Sequence, residues 1–194
     1  MVNDMLTIAN RHSRRTAFPS VRASLQSVLP AVFACLVSTA HAQDPDYVVK
    51  AKMLVAFTQP EYANWPVAAF RDASSPFLIG VLGDDSVSGK LESLVGNRTA
   101  AGRRITVRRA KGPEDLKGCH VVFIGKSESG RASSILSALA GTNALTVSDA
   151  ENFTQQGGVV GFFLKGENVR FHINGGAARR AGVDLTAQFL KNGE

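Results

Sequence analysis

Phe77-Leu78-Ile79-Gly80-Val81-Leu82-Gly83-Asp84-Asp85-Ser86 is the stretch whose reading decides the fold. Six residues without a polar interruption describe a strand covered on both faces, because a strand with one wet face alternates. Gly83 to Ser86 ends the run and offers short polar side chains suited to capping a helix, expected over about Val87 to Val95. The same grammar returns downstream. His120-Val121-Val122-Phe123-Ile124 reads as a second buried strand. Ser127 then caps a helix to about Ala140, with Ile135, Leu136 and Leu139 on its inner face. Strands buried on both faces and separated by helices predict a parallel sheet between helical layers.

The flanking segments fit that frame. Asp46 to Phe57 places Val49, Met53, Leu54 and Phe57 at helical spacing, with Asp44 or Asp46 as cap and Pro60 as stop. Tyr62, Trp65 and Phe70, around Pro66, read as an aromatic anchor for the loop leading into the first strand. Arg103 to Arg109 alternates basic residues with Ile105 and Val107, a strand nearer a sheet edge, and Pro113 to Leu116 reads as a helical turn. Ala144 to Val147 is a short strand, and Ser148-Asp149 caps a turn of helix through Phe153. Gly157-Gly158 opens Val159 to Leu164, and Gly166-Glu167 turns the chain into Asn168 to Ile173, the clearest hairpin. Asn174 caps a C-terminal helical region broken near Gly182 and resumed around Leu185 to Leu190. The predicted class is an α/β three-layer sandwich: a mostly parallel sheet with a C-terminal antiparallel hairpin and helices on both faces, joined by right-handed crossovers. Such sheets bind ligands beyond the carboxyl ends of their strands. Here those ends are Gly83-Asp84, Gly125-Lys126-Ser127 and Ser148-Asp149.

The chain has 194 residues and a formal charge of +6, with 22 Lys and Arg against 16 Asp and Glu. Much of that charge lies in a segment that reads as targeting. Arg11, Arg14, Arg15 and Arg22 precede the apolar run Leu25 to Thr39, and Ala40-His41-Ala42 follows as an A-x-A cleavage site. The run is about 15 residues, short of the roughly 20 that span a bilayer. Phe18 sits one place late for a twin-arginine signal, which favours the general export route. Residues 1–42 are therefore expected to be a cleaved signal peptide, 43–194 a single exported domain, and the destination the periplasm. Without residues 1–42 the count is 18 bases against 15 acids, which removes the compositional case for nucleic-acid binding. No cysteine follows the cleavage point, as a lipoprotein anchor would require, and Cys119 is left as a lone thiol.

Catalytic signatures are weak. Gly83 to Lys90 resembles a phosphate loop but has one residue too many between its glycines, and Leu91 stands where a hydroxyl is needed. Gly125-Lys126-Ser127-Glu128-Ser129 resembles a nucleophile elbow but lacks the second glycine. Cys119 and His120 are adjacent, so on a strand they face opposite ways and do not ligate one metal ion. No enzyme, cofactor or metal is expected. The arginines of the 103–109 strand read as a solvated edge that discourages strand addition. Arg170 and His172 carry more weight. Two apart on the hairpin's second strand, they share a face, while Val169, Phe171 and Ile173 point to the core. Together with Leu164 at the end of the facing strand, they are the candidate site for an anionic or carboxylate-bearing small molecule.

The order of the segments resembles the YfiR-like family of periplasmic proteins. The resemblance is carried by Lys50-Ala51-Lys52-Met53-Leu54, Trp65-Pro66 and Ile79-Gly80-Val81-Leu82-Gly83-Asp84-Asp85. It continues through Gly118-Cys119-His120-Val121-Val122-Phe123-Ile124, Ser127-Glu128-Ser129, Leu145-Thr146-Val147-Ser148-Asp149 and Gly157-Gly158. It ends with Val169-Arg170-Phe171-His172-Ile173-Asn174 and Ala177-Ala178-Arg179-Arg180-Ala181-Gly182, covering about residues 47–191. The resemblance implies an α/β sandwich and a non-enzymatic periplasmic repressor. Such a repressor binds the sensor region of a membrane diguanylate cyclase of YfiN type and limits cyclic di-GMP and biofilm formation. An outer-membrane lipoprotein of YfiB type sequesters it, and a homodimer is within the family's range. The resemblance also implies a small ligand near the Arg-x-His strand, which falls on Arg170 and His172. Tyr62, Trp65 and Phe70 are candidate partner contacts, since aromatic side chains often anchor interfaces. Two departures stand out. The exit of the first helix, Phe57 to Pro66, looks longer than the family's run and holds Pro60; the single mature cysteine leaves no internal disulfide for redox sensing. A solute-binding module without a cyclase partner is the alternative reading.

Overall fold

A computed structural model describes residues 44–194. The expected signal peptide and its cleavage site lie outside the described residues. Among the described residues, no helix is long and apolar enough to cross a membrane.

The first helix, α1 (Asp46–Phe57), has the predicted bounds. Its cap differs from expectation: Pro45 occupies the N-cap position, and neither Asp44 nor Asp46 caps with a side chain. The two aspartates instead pair forward along the helix, Asp44 with Lys52 and Asp46 with Lys50. The inward stripe is also rotated. Val48, Ala51, Leu54, Val55 and Phe57 are buried, while Val49 and Met53 are half-buried at its margin.

The chain continues through β1 (Ala63–Asn64), β2 (Phe77–Leu82), α2 (Asp85–Val95), β3 (Thr99–Ala100) and β4 (Arg103–Ala110). Next come β5 (Val121–Ile124), α3 (Ala132–Ala138), β6 (Leu145–Ser148), β7 (Val160–Lys165) and β8 (Asn168–Ile173). The C-terminal part holds α4 (Gly175–Ala181), β9 (Asp184–Leu185) and α5 (Ala187–Asn192). Seven strands form one sheet in the order β3-β4-β2-β5-β6-β7-β8, and β1 pairs with β9 in a separate two-stranded ribbon. The run from β4 to β7 is parallel, with the antiparallel β3 and β8 at the two edges. This is the α/β sandwich that the two-sided apolar strands predict.

Period-two alternation divides the core between the two faces. Phe77, Ile79 and Val81 of β2, Val121 and Phe123 of β5, and Leu145 and Val147 of β6 belong to one apolar cluster with α1, α2 and Phe189 of α5. Leu82, Val122 and Ile124 point the other way, onto Leu116, Ala132, Ile135 and Leu139. The hairpin adds Phe162, Val169, Phe171 and Ile173 to the first cluster, where the Phe57 ring lies 5.6 Å from Phe171 and 4.7 Å from Phe189.

Two expected caps stand. Asp84 accepts from the Val87 N–H at 2.9 Å, and Asn174 accepts from the Ala177 N–H at 2.9 Å. Ser127 does not cap. A 3-10 segment over Lys126–Arg131 precedes α3, and the Ser127 hydroxyl donates to the Gly83 carbonyl at 2.8 Å. That bond ties the exits of β2 and β5 together. A side chain on Gly125 would meet the Gly83 carbonyl oxygen at 2.6 Å, so only glycine permits the approach.

Candidate functional site

Three strand exits were the expected ligand positions, and two of them are closed on each other. The Gly125 N–H donates to the Leu82 carbonyl at 2.8 Å, and Ser127 seals the same junction. The third exit, after β6, opens into a cleft of about 610 Å³. That volume lies in the range of small-molecule sites.

The cleft lies where β6 ends, at Ser148, while β7 runs on to Lys165. Their register pairs Val147 with Val160 and Ser148 with Gly161, and goes no further. Beyond Gly161, β7 pairs only with β8, because β6 has ended. Phe163 and His172 reach the cleft from one face of the hairpin, and Leu164 from the other. The register places His172 opposite Gly161, Arg170 opposite Phe163, and Leu164 opposite Val169. Arg170 and His172 thus share a face, with Val169 buried on the other. His172 stacks on Phe163, ring centroids 4.3 Å apart and planes 13° from parallel. Its Nδ1 lies 2.9 Å from a main-chain oxygen of Glu194, an acceptor, so Nδ1 carries a proton there. Leu164 is exposed and forms part of the wall, whereas Arg170 lies outside the lining and its guanidinium makes no hydrogen bond or ion pair among the described residues.

The far wall carries the groups that the sequence reading missed. Lys50 reaches across from α1, its side chain only 10% exposed, and its ammonium donates to Asp149 Oδ2 at 2.7 Å. Asp46, one turn earlier, lies 3.0 Å from the same ammonium. Burial alone would pull the Lys50 pKa down, but hydrogen bonds to Asp149 and Asp46 outweigh it and the net shift is upward. The same bond holds the Asp46 carboxyl below its ordinary value. Lys50 stands in the segment that carries the family resemblance, but nothing in a helical pattern says that a lysine turns inward. Asp149 reads as a cap because it follows a strand; its ion pair depends on a partner 99 residues away. Phe163 was accessible to inference, since a two-residue hairpin turn fixes it opposite Arg170.

Tyr62, Trp65 and Phe70 lie elsewhere, half-buried against the first apolar cluster. The Trp65 indole N–H donates to the Asn143 carbonyl at 2.9 Å, and its ring meets Phe77 edge-on at 4.8 Å. Tyr62 meets Phe189 edge-on at 5.4 Å. Phe70 stacks on His120 at 4.3 Å and carries the Arg103 guanidinium 3.9 Å above its ring. Val67, between Trp65 and Phe70, is 87% exposed.

The remaining chemically active side chains are enclosed. His120 accepts at Nδ1 from the Leu78 N–H at 3.0 Å and places Nε2 3.2 Å from the Ala69 carbonyl. Burial first, then the nearby Arg103 charge, hold its pKa below the usual histidine value. Cys119 is buried, and desolvation pushes its thiol pKa up. Among the described residues, no three His, Cys, Asp or Glu side chains converge as metal ligands.

Comparison with known proteins gives one family. The sequence profile described as YfiR/HmsC-like matches residues 47–194. No curated protein matches the chain.

Proposed function

The chain belongs to the YfiR/HmsC-like family, and from that premise we propose that it is an exported, non-enzymatic regulator of a membrane diguanylate cyclase. Residues 1–42 direct it to the periplasm. There it binds the cyclase's sensor region, of YfiN type, and holds the enzyme inactive by stabilising one of its states over another. A lipoprotein of YfiB type competes for it, and it works alone or as a homodimer. The observation that carries this reading is the family match over nearly the whole described chain. In this reading Tyr62, Trp65 and Phe70 hold the loop, and Val67 on its crest meets the partner.

The test is intracellular cyclic di-GMP in the bacterium that carries the gene, with the gene deleted and then restored. A rise on deletion, reversed by the exported protein, supports the repressor. An unchanged level with the protein verified as exported counts against it. Val67→Asp is expected to relieve repression without lowering stability, because an exposed side chain supports no core.

The cleft favours a second reading, a small-ligand sensor in which His172, Leu164 and neighbouring Arg170 take part. A ligand that binds only the folded chain raises its apparent stability. Arg170→Ala and His172→Ala are expected to remove that rise and leave the unliganded fold unchanged.

A further inference from the structure

The sheet is open along most of the outer edge of β4. There β3 pairs with Arg103 and Arg104 alone. The Ile105 N–H, donating to the Arg98 carbonyl at 3.0 Å, makes the last bond on that side. Main-chain groups alternate in direction along a strand, so the N–H and C=O of Val107 and Arg109 point the same way as the Ile105 N–H. Among the described residues no main-chain group pairs with them there. Thr106 and Arg109 are exposed, so this stretch of edge reaches solvent. The opposite edge of the sheet differs: the Glu194 N–H donates to the Phe171 carbonyl of β8 at 3.0 Å.

An open edge is a template for another strand, and its side chains decide which strand is admitted. Residues 103–111 hold five bases and no acid. Arg109, on the face of Val107, is answered within the chain by Glu92 at 2.7 Å and Asp85 at 3.6 Å. The other face, with Arg104, Thr106 and Arg108, is not. Arg104 is exposed, and Arg108 donates to the neutral main-chain carbonyls of Asp115 and Lys117 at 3.0 and 3.1 Å. The Asp115 carboxylate is turned to the Lys111 N–H at 2.9 Å. Among the described residues, neither Arg104 nor Arg108 has a carboxylate within ion-pair distance.

These charges set the class of the added strand. A second β4 would bring arginine against arginine, so the edge rejects its own copy. An anionic lipid surface would meet the arginines but set its acceptors against the outward carbonyls of Val107 and Arg109. An extended acidic chain answers both the charge and the alternating donors and acceptors.

We propose that the outer edge of β4, from Thr106 to Ala110, receives an extended acidic segment of a partner protein as an additional strand. An acid placed beside Thr106 lies diagonal to Arg104 and Arg108, within reach of both. The next side chain along the segment falls beside Val107 and is apolar, so the segment alternates acidic and apolar residues. This goes beyond the cyclase and small-ligand readings and needs neither.

A capped heptapeptide alternating glutamate and valine tests it, titrated by calorimetry into the exported protein at pH 7 and about 50 mM salt. It is expected to bind at least about tenfold more tightly than the same peptide with glutamine for glutamate. Two N-methylated forms of the acidic peptide test the main chain. Methyl groups on the valines alone, or on the glutamates alone, remove the donors from one side of the strand. One form should keep its affinity and the other lose at least about tenfold. Arg104→Glu, at an exposed position, should weaken the acidic peptide at least about fivefold. Should that variant fail to fold, the peptide series on the unsubstituted protein still decides. Equal binding of the glutamine peptide, equal binding of the two methylated forms, or no binding at about 1 mM overturns the proposal. So does an acidic preference that survives Arg104→Glu. Vesicles of phosphatidylglycerol that bind through Arg104 while the peptide does not would assign the arginines to a membrane. Self-association that the acidic peptide competes away would put a second copy on the edge. Either result overturns the proposal as well.

Discussion

Replacing Lys50 with methionine keeps the length of the side chain and removes its ammonium. Asp149 then loses its only hydrogen-bond partner while 85% of its side chain is out of solvent, the complement of the exposure that the ion pair leaves it. Breaking a buried pair from one side typically costs about 3–5 kcal/mol. Asp46 adds little, since its side chain is about half exposed. Partial relaxation of the cleft brings the expected loss at pH 7 to about 2–4 kcal/mol. The assay is urea unfolding of both proteins at pH 7, followed by circular dichroism and by Trp65, the chain's single tryptophan. Adding Asp149→Asn to Lys50→Met should restore about 1–2 kcal/mol at pH 7, because the stranded charge is gone. A loss below about 0.5 kcal/mol at pH 7 would refute the role assigned to this pair.

Further outcomes follow from other contacts. Gly158→Ala would place a methyl 2.1 Å from the Phe153 ring, and should cost about 1–3 kcal/mol in urea unfolding; adding Phe153→Leu should recover part of it. The buried His120, with its folded pKa depressed, contributes stability that is complete above the unfolded value near 6.5 and falls as pH drops toward the folded one. Unfolding midpoints between pH 7 and 5 should therefore decline in the native chain, and His120→Gln should remove that part of the slope. Trp65→Phe loses the bond to the Asn143 carbonyl and should lower stability by about 1–2 kcal/mol; unchanged stability with lost cyclase repression would instead mark Trp65 as a partner contact.

The six longer strands, the two-sided burial of the central ones and the hairpin register were legible in the sequence; the two-residue strands β1, β3 and β9 were not, and Leu185 pairs with Ala63 where the sequence reads as resumed helix. Phe77 to Leu82 and Val121 to Ile124 are apolar on both faces, which only a covered parallel sheet explains. The Gly166-Glu167 turn sets the pairing that puts Arg170 and His172 side by side. Local rules served here because each depends on residues a few positions apart. They misled at Ser127 and Asp149, two polar residues after strands that resembled caps. Ser127 is drawn to a carbonyl 44 residues away, and Asp149 to an ammonium 99 residues away.

By itself, then, the sequence determined the layers, the strand periodicity and the family. Only the tertiary structure decided which strand exit is open. The exits of β2 and β5 close on each other because Gly83 and Gly125 let two backbones meet. The exit of β6, which ends at Ser148 after two register pairs with β7, opens into the cleft that Lys50, Asp149 and His172 line. Local chain preferences are written in neighbouring residues, but a cleft is a distance between segments far apart in sequence, and no periodicity records it.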